Sequence, residues 1–209
     1  MKGLPRLIIT FIGIVLLFGG IFLIAQPHLS NFIENKHNDK KVEQYQSEHA
    51  KQSKTDDDKE KTPVIPKERN KVAGIIEVPD AKIKEPIYPG DASPKQLNKG
   101  VSFAEKDESM DDQNIAIAGH TSNVPSLKKN YQFTNLDKAK KGSKVYLTVD
   151  GQKRTYKMTD IRNVKPNEGD VMDDKKGEKN QITLITCDDY NETTGEWDSR
   201  QIFVAEEIS

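Results

Sequence analysis

One uninterrupted apolar segment near the N-terminus constrains this chain more than any other feature of its sequence. Residues 7–25 contain no charged side chain, and Lys2 and Arg6 precede them. At a rise of about 1.5 Å per residue, a helix of this length crosses a hydrocarbon layer of about 30 Å. Because basic residues stay on the cytoplasmic side of a membrane, we expect one transmembrane signal-anchor with a cytoplasmic N-terminus. All later residues would then lie outside the cell.

A cleaved secretory signal is the alternative interpretation of this segment. The apolar part of such a signal usually has about 7–15 residues and ends in a pair of small residues. Residues 23–27 offer no such pair. We therefore expect an uncleaved anchor, and we assign residues 1–27 to the cytoplasmic N-terminus and this anchor.

Residues 28–66 predict a flexible polar spacer between the anchor and the rest of the chain. Lys, Asp, Glu, Gln and Ser dominate this region, and Tyr45 is the only aromatic side chain between residues 34 and 61. Such a composition buries too little apolar area to offset the entropy that is lost on ordering. A transient helix over residues 33–51 is compatible with it, but we expect no stable fold before residue 67.

From residue 67 to residue 209 the pattern indicates one folded domain made mostly of β-strands. Alternating and β-branched runs are separated by turn residues, and Asp150-Gly151 is a typical two-residue hairpin turn. Only residues 93–98 and 135–140 favour short helices. This pattern predicts an all-β barrel or sandwich. The expected strands are residues 72–78, 82–88, 113–119, 144–149, 152–158, 181–186 and 200–205.

The charges of the chain nearly cancel, with 32 Lys and Arg side chains against 33 Asp and Glu side chains. This balance provides no overall electrostatic attraction to nucleic acid, and we expect no nucleic acid among the partners. Recognition must therefore depend on local groups.

Cys187 is the only cysteine of the chain, so an exported domain would contain no internal disulfide. In a strand its side chain shares a face with Thr183 and Ile185, and a polar segment follows at residues 188–191. A structural cysteine usually lies within an apolar run, whereas a nucleophile suits this expected position at the end of a strand. Both interpretations stay open on this pattern alone.

His120 is the only histidine of the expected domain. It follows a strand-like run in which Ala116 and Ala118 share its face, and such small side chains leave room for a substrate backbone. A histidine at the protein surface, without a chemical role, is the simpler interpretation of this feature by itself.

Arg200 opens the last expected strand, shortly after Trp197. Its guanidinium stays protonated and can donate hydrogen bonds to a developing oxyanion, or it can be a solvated surface group. Asp188 and Asp189 also have two interpretations. They can orient a base, as the acid of a triad does, or form a turn that caps the strand.

Together these residues resemble the class A sortases, the cell-wall transpeptidases of Gram-positive bacteria, most closely those of the staphylococcal type. Residues 183–187, Thr-Leu-Ile-Thr-Cys, match the signature of that family, and residues 118–121, Ala-Gly-His-Thr, match the segment that carries its histidine. Arg200 lies at the family's spacing downstream. The resemblance covers essentially the whole chain. It implies a closed sortase-type β-barrel of about eight strands with short helices.

The resemblance implies a cysteine transpeptidase that acts on the Leu-Pro-x-Thr-Gly sorting signal of surface proteins. Cys187 would attack the carbonyl carbon between Thr and Gly and form a thioacyl enzyme. An amine of the lipid-linked peptidoglycan precursor would then resolve this intermediate. His120 would act as general acid and base, and Arg200 would hold the substrate and its oxyanion. We expect a poised thiol and imidazole rather than a tight thiolate–imidazolium pair.

A substrate groove is implied in the same way, together with a mobile loop at residues 164–180 that closes over the peptide. Two of the implied groove residues belong to this loop, and the others come from the barrel. The implied groove residues are Ala92, Ala104, Ala116, Ala118, Val171, Met172, Thr183 and Ile185.

The resemblance also implies a calcium ion that stimulates the enzyme without taking part in the chemistry. Oxygen ligands at this density suit a hard cation, although an ordinary acidic surface loop has the same composition. Asp174 stands where we expect a longer Glu, so that calcium binding would be weakened. The implied ligands are Glu105, Glu108, Asp112, Asn114 and Asp174.

Two other hypotheses fit parts of the pattern. A membrane-anchored thiol endopeptidase that uses water as acceptor would share every catalytic residue with a transpeptidase. A membrane-tethered, calcium-dependent binding module with an incidental thiol is the hypothesis from a different class. It predicts that the substitution Cys187→Ala leaves function intact.

Overall fold

The computed structural model describes residues 4–52, 62–121, 132–175 and 177–208. Within its first helix, side chains are described for residues 10–23 and 36–50. The chain forms two compact units, one that ends at His37 and one that begins at Asn38.

The first unit contains the beginning of helix α1, which extends over Leu4–Gln52. Its described apolar side chains are exposed; Phe11, for example, is 68% accessible. Among the residues whose side chains are described, no helix combines the length and the apolar character that a membrane span needs. The ends of the predicted anchor, residues 7–9 and 24–25, lie outside these described side chains. The anchor therefore stays a prediction.

The second unit contains a closed barrel of eight strands within the described part of the chain. The strands are β1 Gly74–Val78, β2 Ile83–Tyr88, β3 Val101–Phe103, β4 Asn114–Ala118, β5 Lys144–Val149, β6 Gln152–Val164, β7 Gln181–Asn191 and β8 Glu196–Glu207. Their order around the barrel is β1-β2-β3-β4-β7-β8-β6-β5. The β2–β3 and β4–β7 pairs are parallel, and the other pairs are antiparallel. The predicted closed β-barrel is confirmed.

The side-chain alternation predicted for β4 and β7 is also confirmed. Ile115 and Ile117 of β4 and Ile182 and Leu184 of β7 belong to the barrel core and are at most 1% exposed. Because successive side chains of a strand point to opposite faces, the residues between them face the other side of the sheet.

The predicted short helices are present as α2, Pro94–Leu97, and as a 3₁₀ turn at Leu136–Lys138. Strand β3 was not among the expected strands, because three residues are too few to produce a recognisable alternation.

The ends of β7 and β8 differ from the prediction. Beyond the barrel the two strands continue as an antiparallel ribbon, in which Asn191 still pairs with Glu196. Cys187 is therefore not the last residue of its strand, and Arg200 does not open β8. The polar side chains that suggested a loop after Cys187 are compatible with a strand here, because this ribbon is only partly buried.

The predicted flexible spacer is wrong for its first part, because α1 continues to Gln52. Residues 53–61 of the predicted spacer lie outside the described residues. Val42 and Tyr45 are 3% and 5% exposed and pack against Ile75 of β1, and the Cβ of His49 lies near Gly151. These three helical side chains are spaced i, i+3 and i+7 and so share one face. A stripe of three residues in a charged segment is enough to dock a helix, although its composition resembles that of a disordered chain.

Candidate active site

The parallel pairing of β4 and β7 determines where His120 lies. Ala118 pairs with Ile185, and one residue further the Gly119 N–H donates to the Ile185 carbonyl at 3.0 Å. The same register, continued to the next residue, places His120 opposite Cys187. The two side chains that the sequence indicated separately are thus carried by neighbouring strands.

Arg200 joins them through the antiparallel pairing of β7 and β8, in which it is the direct partner of Cys187. Directly opposed residues of two antiparallel strands have side chains on the same face, with Cβ atoms about 4.5–5.5 Å apart. Arg200 Nη1 donates to the backbone carbonyls of Ser199 at 2.9 Å and Trp197 at 3.4 Å. Since a guanidinium carries five N–H groups, others are available for a substrate.

The electrostatic environment favours the neutral forms of both groups. Burial raises the pKa of the Cys187 thiol, and the positive charge of Arg200 lowers it by less. Burial also lowers the pKa of His120. A resting thiol and a neutral imidazole follow from these directions, in agreement with the expected poised pair.

Thr186 contributes a contact that the sequence did not indicate. Its hydroxyl donates to the Gly119 carbonyl at 2.9 Å, and its side chain is only 4% exposed. Gly119 in turn lies against Phe133, whose ring would be 2.7 Å from an added Cβ. The backbone segments that carry Cys187 and His120 are therefore held together directly. Only the position of Thr186 next to Cys187 could have suggested this.

The two acidic residues after Cys187 have different environments. Asp188 accepts a hydrogen bond from Asn163 Nδ2 at 2.7 Å, which links β7 to β6. Asp189 has a left-handed backbone conformation, with φ of 59°, and is left out of the β7–β8 pairing. That one of them orients His120 stays a prediction.

The predicted groove residues divide by accessibility. Ala116 and Thr183 are fully buried, whereas Ala118 is 9% exposed and Ile185 is half-buried. The Thr183 hydroxyl donates to Asn114 Oδ1 at 2.7 Å, so the polar group of Thr183 is bound to a residue of the predicted calcium site. The two partly accessible residues, Ala118 and Ile185, each lie two positions before a predicted catalytic residue, His120 and Cys187.

Two further groove residues, Ala92 and Ala104, lie on connections next to the strands. Ala92 is half-buried between β2 and α2 and has a positive φ of 46°, which is unusual for a residue with a Cβ. Ala104 follows β3 directly, and its N–H donates to the Ala116 carbonyl at 2.9 Å.

The predicted mobile loop is tied to the start of β4 through Asn114. Its side-chain amide donates to the Val171 carbonyl at 3.0 Å, and its backbone N–H donates to Asp174 Oδ1 at 2.9 Å. Val171 and Met172 are half-buried in this segment. Asn114, indicated by sequence only as a calcium ligand, therefore also connects the loop with Thr183.

The predicted calcium ligands surround one cavity of about 500 Å³. Among the described residues no group of three or more His, Cys, Asp or Glu side chains is arranged to hold a metal ion. The side chains of the lining are nevertheless mostly carboxylate and amide oxygen donors, the type that suits a hard cation. Burial and neighbouring carboxylates raise the pKa of Glu108 to about 8. The lining residues are Glu105, Asp107, Glu108, Asp112, Asn114, Met172, Asp173 and Asp174.

Comparison with known proteins gives one consistent result. A family profile for the sortase domain matches residues 76–208. Sortase A of Staphylococcus aureus is 53% identical over 208 residues, which cover 100% of both chains. A solved structure of sortase A from Listeria monocytogenes is 29% identical with a TM-score of 0.57, covering 66% of this chain and 88% of that chain. Sortase C1 of Streptococcus agalactiae is 28% identical with a TM-score of 0.56, covering 70% of this chain and 71% of that chain.

Proposed function

The chain belongs to the sortase family and is a cysteine transpeptidase of the sortase A type that anchors surface proteins to the cell wall, and we propose that its substrate is the Leu-Pro-x-Thr-Gly sorting signal. The observation that supports this proposal is the strand register: Arg200 pairs directly with Cys187, and the β4–β7 register, continued two residues past Ala118, sets His120 opposite Cys187. Each of these side chains has a distinct part in acyl transfer.

In the first half-reaction, His120 takes the proton of the Cys187 thiol while the sulfur attacks the carbonyl carbon of the Thr–Gly bond. Negative charge develops on the carbonyl oxygen, where N–H groups of Arg200 stabilise it. The tetrahedral intermediate collapses, the C–N bond breaks, and His120 gives a proton to the leaving glycine amine. The product is a thioester between Cys187 and the threonine carbonyl.

In the second half-reaction, an amine of the lipid-linked peptidoglycan precursor attacks the thioester carbon. His120 takes a proton from this amine, the C–S bond breaks, and His120 gives the proton to the departing sulfur, which restores the Cys187 thiol. The surface protein is then joined to the precursor by a new amide bond. Neutral resting forms suit both half-reactions, because the thiol and the imidazole exchange their proton only during turnover.

We also propose that the acidic cavity binds a stimulatory calcium ion. Glu105, Glu108, Asp112 and Asp174 would provide charged oxygen ligands. Asn114 would be the fifth ligand, and its side-chain amide connects this cavity with the loop that contains Val171. The ion would supply no chemistry; its binding would favour the position of this loop beside the groove.

For the cellular location, we propose a single-pass protein of the cell membrane. The support is the uncharged segment at residues 7–25 with Lys2 and Arg6 before it. The N-terminus would be cytoplasmic and the catalytic domain extracellular, where surface proteins and the lipid-linked precursor are both within reach.

The test uses the full chain in detergent and a quenched Leu-Pro-x-Thr-Gly peptide, with and without oligoglycine. We expect ligated product to dominate when oligoglycine is present, and we expect Cys187→Ala to abolish turnover while the fold is unchanged. Hydrolysed product that prevails whatever the amine concentration would instead favour the endopeptidase. Unchanged function of Cys187→Ala would favour a binding module.

A further inference from the structure

The peptide that joins Gly119 to His120 is held by side chains at both of its polar groups. Its carbonyl accepts the hydroxyl of Thr186, as described above. Its N–H, which belongs to His120, donates to Gln132 Oε1 at 2.8 Å. The next residue along, Phe133, donates its backbone N–H to the His120 carbonyl at 2.9 Å. The backbone of His120 is therefore bound on both sides by residues 132 and 133.

These contacts matter because the sheet itself no longer holds His120. Strand β4 ends at Ala118, and the last described backbone–backbone hydrogen bond of this segment to β7 is donated by Gly119. Without other contacts, the imidazole would be attached to a strand end that can rotate. The contacts from residues 132 and 133 take the place of the sheet.

Gln132 has a second contact that connects His120 with the groove. Its Nε2 donates to the carbonyl of Leu97, the last residue of α2, at 2.6 Å. The side chain is 8% exposed, so both of its polar atoms have their partners inside the protein. A neutral amide makes both contacts at once, because one end accepts and the other donates. Helix α2 begins two residues after Ala92, a predicted groove residue.

We propose that Gln132 is a positioning residue for His120. It fixes the peptide from which the imidazole extends and links it to the helix next to the groove. This inference rests on the proposed role of His120 as general acid and base. A displacement of about 1 Å in a catalytic group reduces turnover by up to about 10²-fold.

The test compares the full chain in detergent with the variants Gln132→Met and Gln132→Glu. Gln132→Met keeps the length of the side chain and removes both hydrogen bonds. We expect kcat to fall about 10- to 100-fold, with KM for the peptide within about twofold of the original value. Because burial lowers the pKa of His120, a loosened imidazole should titrate at higher pH, which NMR of the ring measures directly.

Gln132→Glu separates the two halves of the contact. Its carboxylate still accepts the His120 N–H but does not donate to Leu97 when ionised. We therefore expect it to recover most of the kcat that Gln132→Met loses. Tyr45→Phe is the matched control for stability. Tyr45 packs against β1 and contacts Asp150, which follows β5, and these two strands lie across the barrel from β4 and β7. We expect it to leave kcat and the pKa of His120 unchanged.

Two outcomes would overturn this inference alone. The first is a normal kcat together with a normal His120 titration in Gln132→Met. The second is a loss of kcat in Tyr45→Phe as large as that in Gln132→Met when both variants lose the same stability. If Gln132→Met does not fold, Gln132→Ala takes its place, and a normal kcat with a normal His120 titration gives the same negative answer. Full activity of His120→Ala would overturn the proposed function itself, and the role of Gln132 with it.

Discussion

Cys187 and Arg200 are direct partners in the antiparallel pairing of β7 and β8, so the guanidinium lies on the face of the sheet from which the thiol projects. This relationship places a permanent positive charge beside a partly buried nucleophile. Burial disfavours the thiolate and Arg200 favours it, and burial has the larger effect on the pKa. The pair therefore moderates the cost of forming the thiolate without producing it at rest.

The substitution Arg200→Gln should raise the pKa of Cys187 further, because it removes the charge that opposes the effect of burial. Peptide turnover should fall about 10²- to 10³-fold, since a donor to the oxyanion is lost as well. The pH dependence of Cys187 alkylation by iodoacetamide measures the first effect. Arg200→Lys, which keeps the charge, is the control. A thiol that is already ionised at neutral pH would contradict the neutral resting state.

Calcium stimulation should depend on Asp174 in a graded way. Its carboxylate accepts the Asn114 N–H, so it lies at the junction between the acidic cavity and the loop. Asp174→Asn removes one charge from the site and should raise the calcium concentration for half-maximal activity about tenfold, whereas Asp174→Glu should lower it. Titration of the EDTA-treated enzyme with calcium checks this. An unchanged response of both variants would place the ion elsewhere.

The docked part of α1 should stabilise the catalytic domain. The Tyr45 hydroxyl donates to the Ala73 carbonyl at 3.2 Å and accepts the Asp150 N–H at 2.8 Å. Tyr45→Phe leaves these two backbone groups unpaired and should lower the free energy of unfolding by about 1–3 kcal/mol. Urea denaturation measures this loss. Tyr146→Phe is the comparison, because the described contact of Tyr146 is between its ring and Lys153, and this substitution keeps the ring. An equal loss of stability in Tyr146→Phe would exclude the proposed contribution of the two hydrogen bonds of Tyr45.

Strand periodicity predicted which faces of β4 and β7 contribute to the barrel core, because Ile115 and Ile117 alternate with Ala116 and Ala118. It could not predict that β7 continues past Cys187, since an exposed ribbon needs no apolar alternation. Residues that act through their position in the fold were harder to recognise. Gln132 has no pattern in sequence that connects it with Leu97, which is 35 positions away.

The composition of residues 28–66 led, for a similar reason, to the prediction of a flexible spacer that is wrong for its first part. Average hydrophobicity over residues 28–66 indicates disorder, but docking of α1 depends on where Val42 and Tyr45 lie rather than on how many such residues there are. The polar contact between Asn38 and Glu85 adds to this interface. Such a contact across 47 positions is visible only when β2 and α1 are placed next to each other.

Glu85 gives this interface a dependence on pH. Its carboxylate accepts a hydrogen bond from Asn38 Nδ2 at 2.8 Å. Burial raises its pKa to about 8; the bond from Asn38 and the charge of Lys41 oppose this shift, and the charge of Asp39 adds to it. In the unfolded chain, a glutamate has a pKa of about 4.3.

Between a pH of about 4.3 and a pH of about 8, the folded protein therefore binds a proton at Glu85 that the unfolded chain does not bind. The free energy of unfolding should fall as the pH rises through this window and should level off above it. Glu85→Gln does not titrate, so its stability should exceed that of the unsubstituted protein increasingly, by at most about 1.4 kcal/mol per pH unit. Urea denaturation at several pH values measures the difference, with Glu77→Gln on the neighbouring strand as control. A difference that stays constant with pH, or that is equally large for Glu77→Gln, would show that Glu85 is ionised beneath the helix.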